Sequence, residues 1–166
     1  MADVRTGIGI DFHRLVEGRP LILAGETIPH GKGLLGHSDA DVLTHAVCDA
    51  LLGAAGLDDI GVHYPDTDPT YRGVSSLKLL ADVRVRLEAA GYRTGNVDVT
   101  VIAERPKLAP HVPAMRQRLA DVLGVAVSQI NLKATTSEGM GALGRGEGIA
   151  AWAVALIERA ARCPDT

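Results

Sequence analysis

Asp11 and His13 in the run Gly9-Ile10-Asp11-Phe12-His13-Arg14, and His45 at the end of Gly36-His37-Ser38-Asp39-Ala40-Asp41-Val42-Leu43-Thr44-His45, are residue types that hold a divalent metal ion. Two imidazoles and one carboxylate are a common zinc set, and three protein ligands leave the fourth tetrahedral position open, as catalytic zinc requires. Such convergence needs particular elements. Val4 to Ile10 reads as a strand, and residues two apart in extended chain share a face, so Asp11 and His13 point the same way. Ser38 reads as an N-cap, with Asp41 completing a Ser-x-x-Asp variant of the capping box, which predicts a helix from there to Gly56. Leu43, Val47, Ala50, Leu51 and Ala54 form its apolar stripe, while Asp41, His45 and Asp49 share another face at i, i+4, i+8. His37 stands just before that helix start, where free amides and the helix dipole favour an anion.

The other elements follow from periodicity and breakers. Leu21 to Pro29 predicts a small hairpin with its turn at Gly25-Glu26, followed by a glycine loop in which Lys32 is a solvated charge. The turn-rich stretch from His63 to Gly73 is long enough for a binding loop. A helix capped by Ser75 or Ser76, with apolar Leu77, Leu80, Ala81, Val85 and Leu87, runs to Gly91. Asn96 to Ala103 alternates polar and β-branched residues as a strand does. Pro110 and Pro113 open a third helix that ends at Gly124, and Ile130 to Ala134 is another strand, leading into Thr135-Thr136-Ser137-Glu138. Gly139 to Gly148 contains a literal G-x-G-x-x-G, but too little chain remains for a dinucleotide-binding unit. The glycines predict instead a flexible loop whose amides, with Arg145, approach phosphate oxygens. Ile149 to Ile157 is helical by its alanine content, yet its alternation equally permits a buried strand.

With 166 residues, 46% of them hydrophobic, the chain fits one domain with a full core. A net charge of -3 and the lack of any Lys/Arg run give no electrostatic case for nucleic acid. Cys48 and Cys163 are the only cysteines, too few for a disulfide framework or a thiolate zinc site. No signal-like or membrane-length apolar run is present, so a cytoplasmic protein with no membrane partner is expected. Aromatics at 3% leave Ala, Val, Ile and Leu to build layered α and β packing.

Taken together, Gly9-Ile10-Asp11-Phe12-His13, Gly36-His37-Ser38-Asp39-Ala40-Asp41-Val42 through His45, Asp59-Ile60-Gly61, Tyr64-Pro65-Asp66-Thr67-Asp68-Pro69, Pro106-Lys107, Thr135-Thr136 and Gly144-Arg145-Gly146-Glu147-Gly148 resemble the 2-C-methyl-D-erythritol 2,4-cyclodiphosphate synthases of the non-mevalonate isoprenoid pathway. The resemblance runs from end to end. It implies an α+β fold, a mixed β-sheet packed on one side by helices, with the sheets facing the axis of a homotrimer and active sites between subunits. It also decides the last segment in favour of a strand. The implied reaction is intramolecular phosphoryl transfer in 4-diphosphocytidyl-2-C-methyl-D-erythritol 2-phosphate, giving the cyclic diphosphate and CMP; the substrate supplies its own nucleophile.

By the same resemblance zinc sits on Asp11, His13 and His45, and magnesium or manganese arrives with the diphosphate and draws on Glu138. His37 and Thr136 steady the transition state. Ala103, Pro106, Lys107, Leu108, Ala109, Thr135, Thr136 and Ser137 form the cytidine and diphosphate pocket. Asp59, Ile60 and Gly61 make a ribose contact from the neighbouring subunit, Ser38 is a further substrate contact, and Tyr64, Pro65, Asp66, Thr67 and Asp68 form a flap. Ala142 and Arg145 are substrate contacts from the Gly-rich loop, and Asp41 and Asp49 orient His45 or its surroundings. The chain departs from the family pattern at Asp58, where glycine is frequent, at Ala142, where an aromatic is frequent, and at Glu104-Arg105, where smaller residues are. Two other functions suit the same residues: a zinc phosphohydrolase acting on a nucleotide diphosphate, and a non-catalytic trimer binding nucleotides or isoprenoid phosphates.

Overall fold

A computed structural model of the chain describes residues 3–160. Cys163 lies outside them. The sheet is built on β1 (Val4–Val16), β4 (Gly33–Leu34), β5 (Tyr92–Ile102), β6 (Ile130–Thr135) and β7 (Gly148–Arg159), in the order β4-β1-β7-β5-β6. β5 and β6 run parallel and the other neighbours antiparallel, so the sheet is mixed. A hairpin of β2 (Leu21–Leu23) and β3 (Glu26–Ile28) stands apart, and helices α1 (Val42–Ala55), α3 (Ser76–Ala89) and α4 (Val112–Leu123) complete the layers with the short α2 (Ile60–His63) and α5 (Gly141–Gly144).

The distance between helix layer and sheet is set by small residues. Gly7 and Gly9 lie on the face of β1 that α1 covers, where an added Cβ would meet Ala50 O at 2.1 Å and Ala46 O at 2.0 Å. Only hydrogen fits there. Across the ladder Gly7 pairs with Ala155, Gly9 with Ala153 and Asp11 with Ala151, and all three alanines are fully buried. This alanine-paved surface is why β7 is a strand despite its composition: each methyl fills the small gap under α1. Two and four residues further along the same face of β1 come Asp11 and His13, carried beside His45 by the same close approach.

α1 begins later than its sequence suggests. Ser38 is not its N-cap; Asp41 is, accepting from Thr44 N at 3.0 Å, because Ala40 takes a left-handed conformation (φ 60) that no helix can include. Asp41 is fully buried and also accepts from Thr44 Oγ1 at 2.7 Å and from Gly25 N at 2.8 Å, fastening the hairpin turn to the helix. That turn is Ala24-Gly25, one residue earlier than expected, with both residues at positive φ as a tight hairpin turn demands. In α3 the buried face is Ser76, Leu79, Leu80, Val83 and Leu87, whereas Ala81 and Val85 are exposed. Gly56 and Gly124 close α1 and α4 in the left-handed conformation. The Gly-rich run is not a free loop, since Gly141–Gly144 forms a helical turn.

Candidate metal centre and a second groove

β1 and α1 bring Asp11, His13 and His45 together as a group of possible metal ligands whose donor atoms all lie within 4.8 Å of one another. His13 Nε2 is 2.9 Å and His45 Nδ1 3.0 Å from Asp11 Oδ2, and the two nitrogens are 3.2 Å apart. Bond lengths of about 2.0 to 2.2 Å put tetrahedral ligands roughly 3.3 Å from one another, so this triangle fits a single divalent ion. The side chains are 12 to 24% exposed, which leaves one side open to a further ligand.

The outer nitrogens are held by oxygen. His13 Nδ1 donates to Leu35 O at 2.6 Å, leaving Nε2 free to ligate. His45 Nε2 lies 2.9 Å from Ser76 Oγ and 3.1 Å from Ser38 Oγ. Burial favours the neutral form of Asp11, but hydrogen bonds from His13 and His45 outweigh it and hold the carboxyl well below the usual carboxylate range. Burial likewise works against a charged His13, yet the hydrogen bond and charge of Asp11 prevail and its proton is held more tightly than usual. A metal ion must expel that proton. Apparent affinity is therefore expected to fall as pH drops through and above the ordinary imidazole value of about 6.5, by about tenfold per pH unit for one displaced proton, measurable by chelator competition between about pH 5.5 and 8.

A groove of about 460 Å³ opens beside this group, lined by His13, His37, Ser38, His45, Ile60, Gly61, Tyr64, Pro65 and Asp66 among others. His37 Nε2 donates to Asp68 O at 3.0 Å, so its other nitrogen can donate to an anion only in the imidazolium form. With α1 starting at Val42, His37 does not sit over that helix N-terminus. Asp59 caps α2 by accepting from Val62 N at 3.0 Å. Asp68 caps the next turn through Thr70 N at 2.8 Å, and Thr67 borders an adjoining recess with Arg19 and Arg72. Tyr64 donates to Asp82 at 2.6 Å.

A second groove of about 480 Å³ is lined by Ala103, Pro106, Lys107, Leu108, Ala109, Thr135 and Thr136, together with Glu104, Arg105 and Ala134. Its walls meet because β5 and β6 are parallel, so the segments leaving both strands emerge at one edge of the sheet. The two grooves share no residue. Glu138 is not among the metal group of Asp11, His13 and His45; it follows the second groove and accepts from Thr136 Oγ1 at 3.1 Å. Ala142 lies in α5, and the exposed Arg145 pairs with Glu147 at 2.6 Å, neither bordering either groove.

One expectation changes with these contacts, and two of the departures from the family pattern gain a reason. Asp41 and Asp49 do not orient His45: Asp41 serves the helix cap and hairpin, and Asp49 accepts from Ile60 N at 2.8 Å. Ser137 is engaged by Glu104, whose Oε1 accepts from Ser137 N at 2.8 Å and Ser137 Oγ at 3.0 Å, which gives the larger residue at 104 a tie between the two walls. Asp58 stands at φ 59, which explains why glycine suits that position and why aspartate, tolerant of the left-handed region, replaces it. Asp39 and Ser76, which sequence spacing did not single out, both belong to the surroundings of His45.

The fold and site define a class: an α+β chain presenting, at the join of strand and helix, a three-residue group able to hold a metal ion. A model of the YgbB family matches residues 4–158, and the chain belongs to that family. A relative named 2-C-methyl-D-erythritol 2,4-cyclodiphosphate synthase, from Syntrophotalea carbinolica, is 59% identical over 162 residues, covering 98% of this chain and 99% of the relative. The bifunctional IspDF from Campylobacter jejuni superposes with a TM-score of 0.92 at 42% identity, over 96% of this chain and 43% of that one. IspF from Plasmodium falciparum, in a CDP complex, gives a TM-score of 0.83 at 32% identity, over 95% and 97%.

Proposed function

We propose that the protein converts 4-diphosphocytidyl-2-C-methyl-D-erythritol 2-phosphate to 2-C-methyl-D-erythritol 2,4-cyclodiphosphate and CMP, as a phosphorus-oxygen lyase. The observation that carries this reading is the Asp11, His13 and His45 group opening into a groove, in a chain 59% identical to a named synthase. An oxygen of the substrate's 2-phosphate attacks the β-phosphorus, the bond to CMP breaks, and CMP departs with the bonding electrons. Zinc on the three ligands supplies a Lewis acid that offsets phosphate charge. The protein's own part is positioning. His37 as imidazolium and the Thr136 hydroxyl donate to developing negative charge, Lys107 and the backbone of Ala103 to Ala109 hold the CMP end, and Ile60, Gly61 and the Tyr64 to Asp68 segment enclose the sugar. Glu138 would hold magnesium or manganese brought by the diphosphate, where hard oxygen ligands are suitable. Ser38 borders the groove beside the metal group and is read as a substrate contact, whereas Ser137, Ala142 and Arg145, which border neither groove, keep supporting roles. The reading also places the protein in the cytoplasm; among the described residues no helix is long and apolar enough to cross a membrane.

The two grooves become one site when copies of the chain adjoin, and a homotrimer provides this. Its support is the outer face of the sheet, where Ile8, Ile10, Phe12 and Val154 are 44 to 62% exposed and Phe12 packs edge-on against Trp152 at 5.2 Å. Such a face calls for a partner. Ile8→Glu, beside its ladder partner Val154, is expected to convert the trimer to monomer in sedimentation and to abolish turnover. Incubation with the CDP-linked substrate and a divalent ion tests the reaction itself. Cyclic diphosphate and CMP in equal amounts are expected, with loss on chelation; a linear phosphate product, or no CMP, overturns the proposal.

A further inference from the structure

His45 reaches the metal group with Nδ1, and its other nitrogen meets a chain of oxygens that ends on Asp39. Ser76 Oγ lies 2.9 Å from His45 Nε2, and the same hydroxyl donates to Asp39 Oδ1, while Ser76 N donates to Asp39 Oδ2 at 3.0 Å. Ser76 is fully buried at the start of α3. Its own proton goes to the carboxylate, which can only accept. Towards the imidazole the hydroxyl is therefore an acceptor and His45 must present Nε2–H to it, so that when a metal ion displaces the hydrogen bond from Nδ1 to Asp11, Nδ1 is the nitrogen that turns a lone pair to the ion. Ser38 Oγ, 3.1 Å from Nε2, accepts from Ala40 N and offers a second acceptor.

We infer that Asp39 and Ser76 are positioning residues that fix the ligating tautomer of His45, so that α3 and the loop before α1 prepare the site for a metal ion. This deepens the proposed function and rests on its metal reading. The loop is itself anchored to the segment before α3, since Asp39 N donates to Val74 O at 3.0 Å and Gly73 N to His37 O at 2.8 Å. Partners of metal-bound histidines are typically worth about 10- to 100-fold in metal affinity.

The sharpest test is Asp39→Asn. Three donors face this carboxylate: Ser76 N at 3.0 Å, Asp41 N at 3.3 Å and the Ser76 hydroxyl. An amide has one oxygen. The orientation that keeps the shorter backbone bond turns NH2 towards Ser76 Oγ, which must then accept, so its proton swings to His45 Nε2 and the imidazole carries hydrogen on the ligand nitrogen. Cobalt(II) or zinc affinity, measured by competition with a chromophoric chelator, is expected to fall about 10- to 100-fold in D39N. Ser76→Ala should cost less, because Ser38 still accepts from Nε2. The double variant D39N/S76A should bind more tightly than D39N alone, since the opposing hydroxyl is gone. A merely structural role gives additive losses, and additivity, or a D39N affinity within about threefold of the parent, overturns the relay.

A measurement on folded holoprotein covers failure of D39N to fold. In zinc-loaded, 15N-labelled protein the His45 Nε2 proton is expected as a slowly exchanging resonance that moves or disappears in S76A, and its indifference to S76A overturns the relay. If the parent protein binds neither ion, the metal reading fails; if it binds and the variants match it, only the relay fails.

Discussion

His45→Ala is expected to lose the metal ion and to lower kcat/KM by about a thousandfold or more while the subunit keeps its fold. The group has three ligands, and two of them, Asp11 and His13, stand two residues apart on one strand; His45 alone joins them to the helix layer. Lewis-acid stabilisation of phosphoryl charge is worth several kcal/mol, and each ~1.4 kcal/mol is a factor of ten in rate. The fold needs little from this side chain. Leu43, Val47, Ala50, Leu51 and Ala54 are among eleven residues that α1 buries without His45, and Ser76 keeps its bond to Asp39 after the ring is gone. Removing the ring should cost about 1 kcal/mol of stability from lost hydrogen bonds. Metal analysis, CMP release and thermal unfolding of the purified variant check all three parts. A variant with near-parental metal content and turnover would remove His45 from the site.

The largest effect on stability is expected at Gly9→Ala. The new methyl would lie 2.0 Å from Ala46 O and 2.7 Å from Ala50 N, both backbone atoms that no side-chain rotation can clear. Strand and helix must separate. Overpacking of this kind costs about 1 to 3 kcal/mol, and more where backbone is the obstacle, a large fraction of a total stability of about 5 to 15 kcal/mol. The damage should extend to the metal, because separating β1 from α1 draws His45 away from donor atoms now about 3 Å distant. Gly53→Ala is the control: an alanine methyl there meets nothing within 4 Å, and removing a helix-interior glycine should stabilise by about 0.5 to 1 kcal/mol. Denaturant midpoints and metal affinity for the two variants give the comparison, and equal stability of Gly9→Ala with the parent would refute the close-packing account.

The ligand triad was legible in sequence because two simple periods carried it, the twofold period of β1 and the helical stripe of α1. The start of α1 was not, since Ser38 satisfies every local rule for an N-cap and only the left-handed Ala40, set by the loop's tertiary contacts, moves the start to Val42. For β7 alanine content argued for helix and alternation for strand, the family resemblance decided for strand, and the burial of Ala151, Ala153 and Ala155 under α1 supplies the physical reason. Lys107 and Thr136 were brought to one groove by the family resemblance alone; the parallel pairing of β5 and β6 that joins their segments leaves no local mark in the sequence. Asp39 and Ser76 were beyond reach, being 37 positions apart with nothing local to mark them as partners. Asp49 misled for a related reason: helical spacing put it near His45, but the chain returning through Ile60 supplies the donor that claims it.

The metal group and the groove around Lys107 have no residue in common, and on the proposed assembly that fact sets a stoichiometry. Each copy donates one half to the neighbour on its left and another to the neighbour on its right. An open pair leaves half of its catalytic apparatus idle, whereas a closed ring wastes none. Mixing His45→Ala with Lys107→Ala subunits should consequently restore some turnover, through junctions where both intact halves meet.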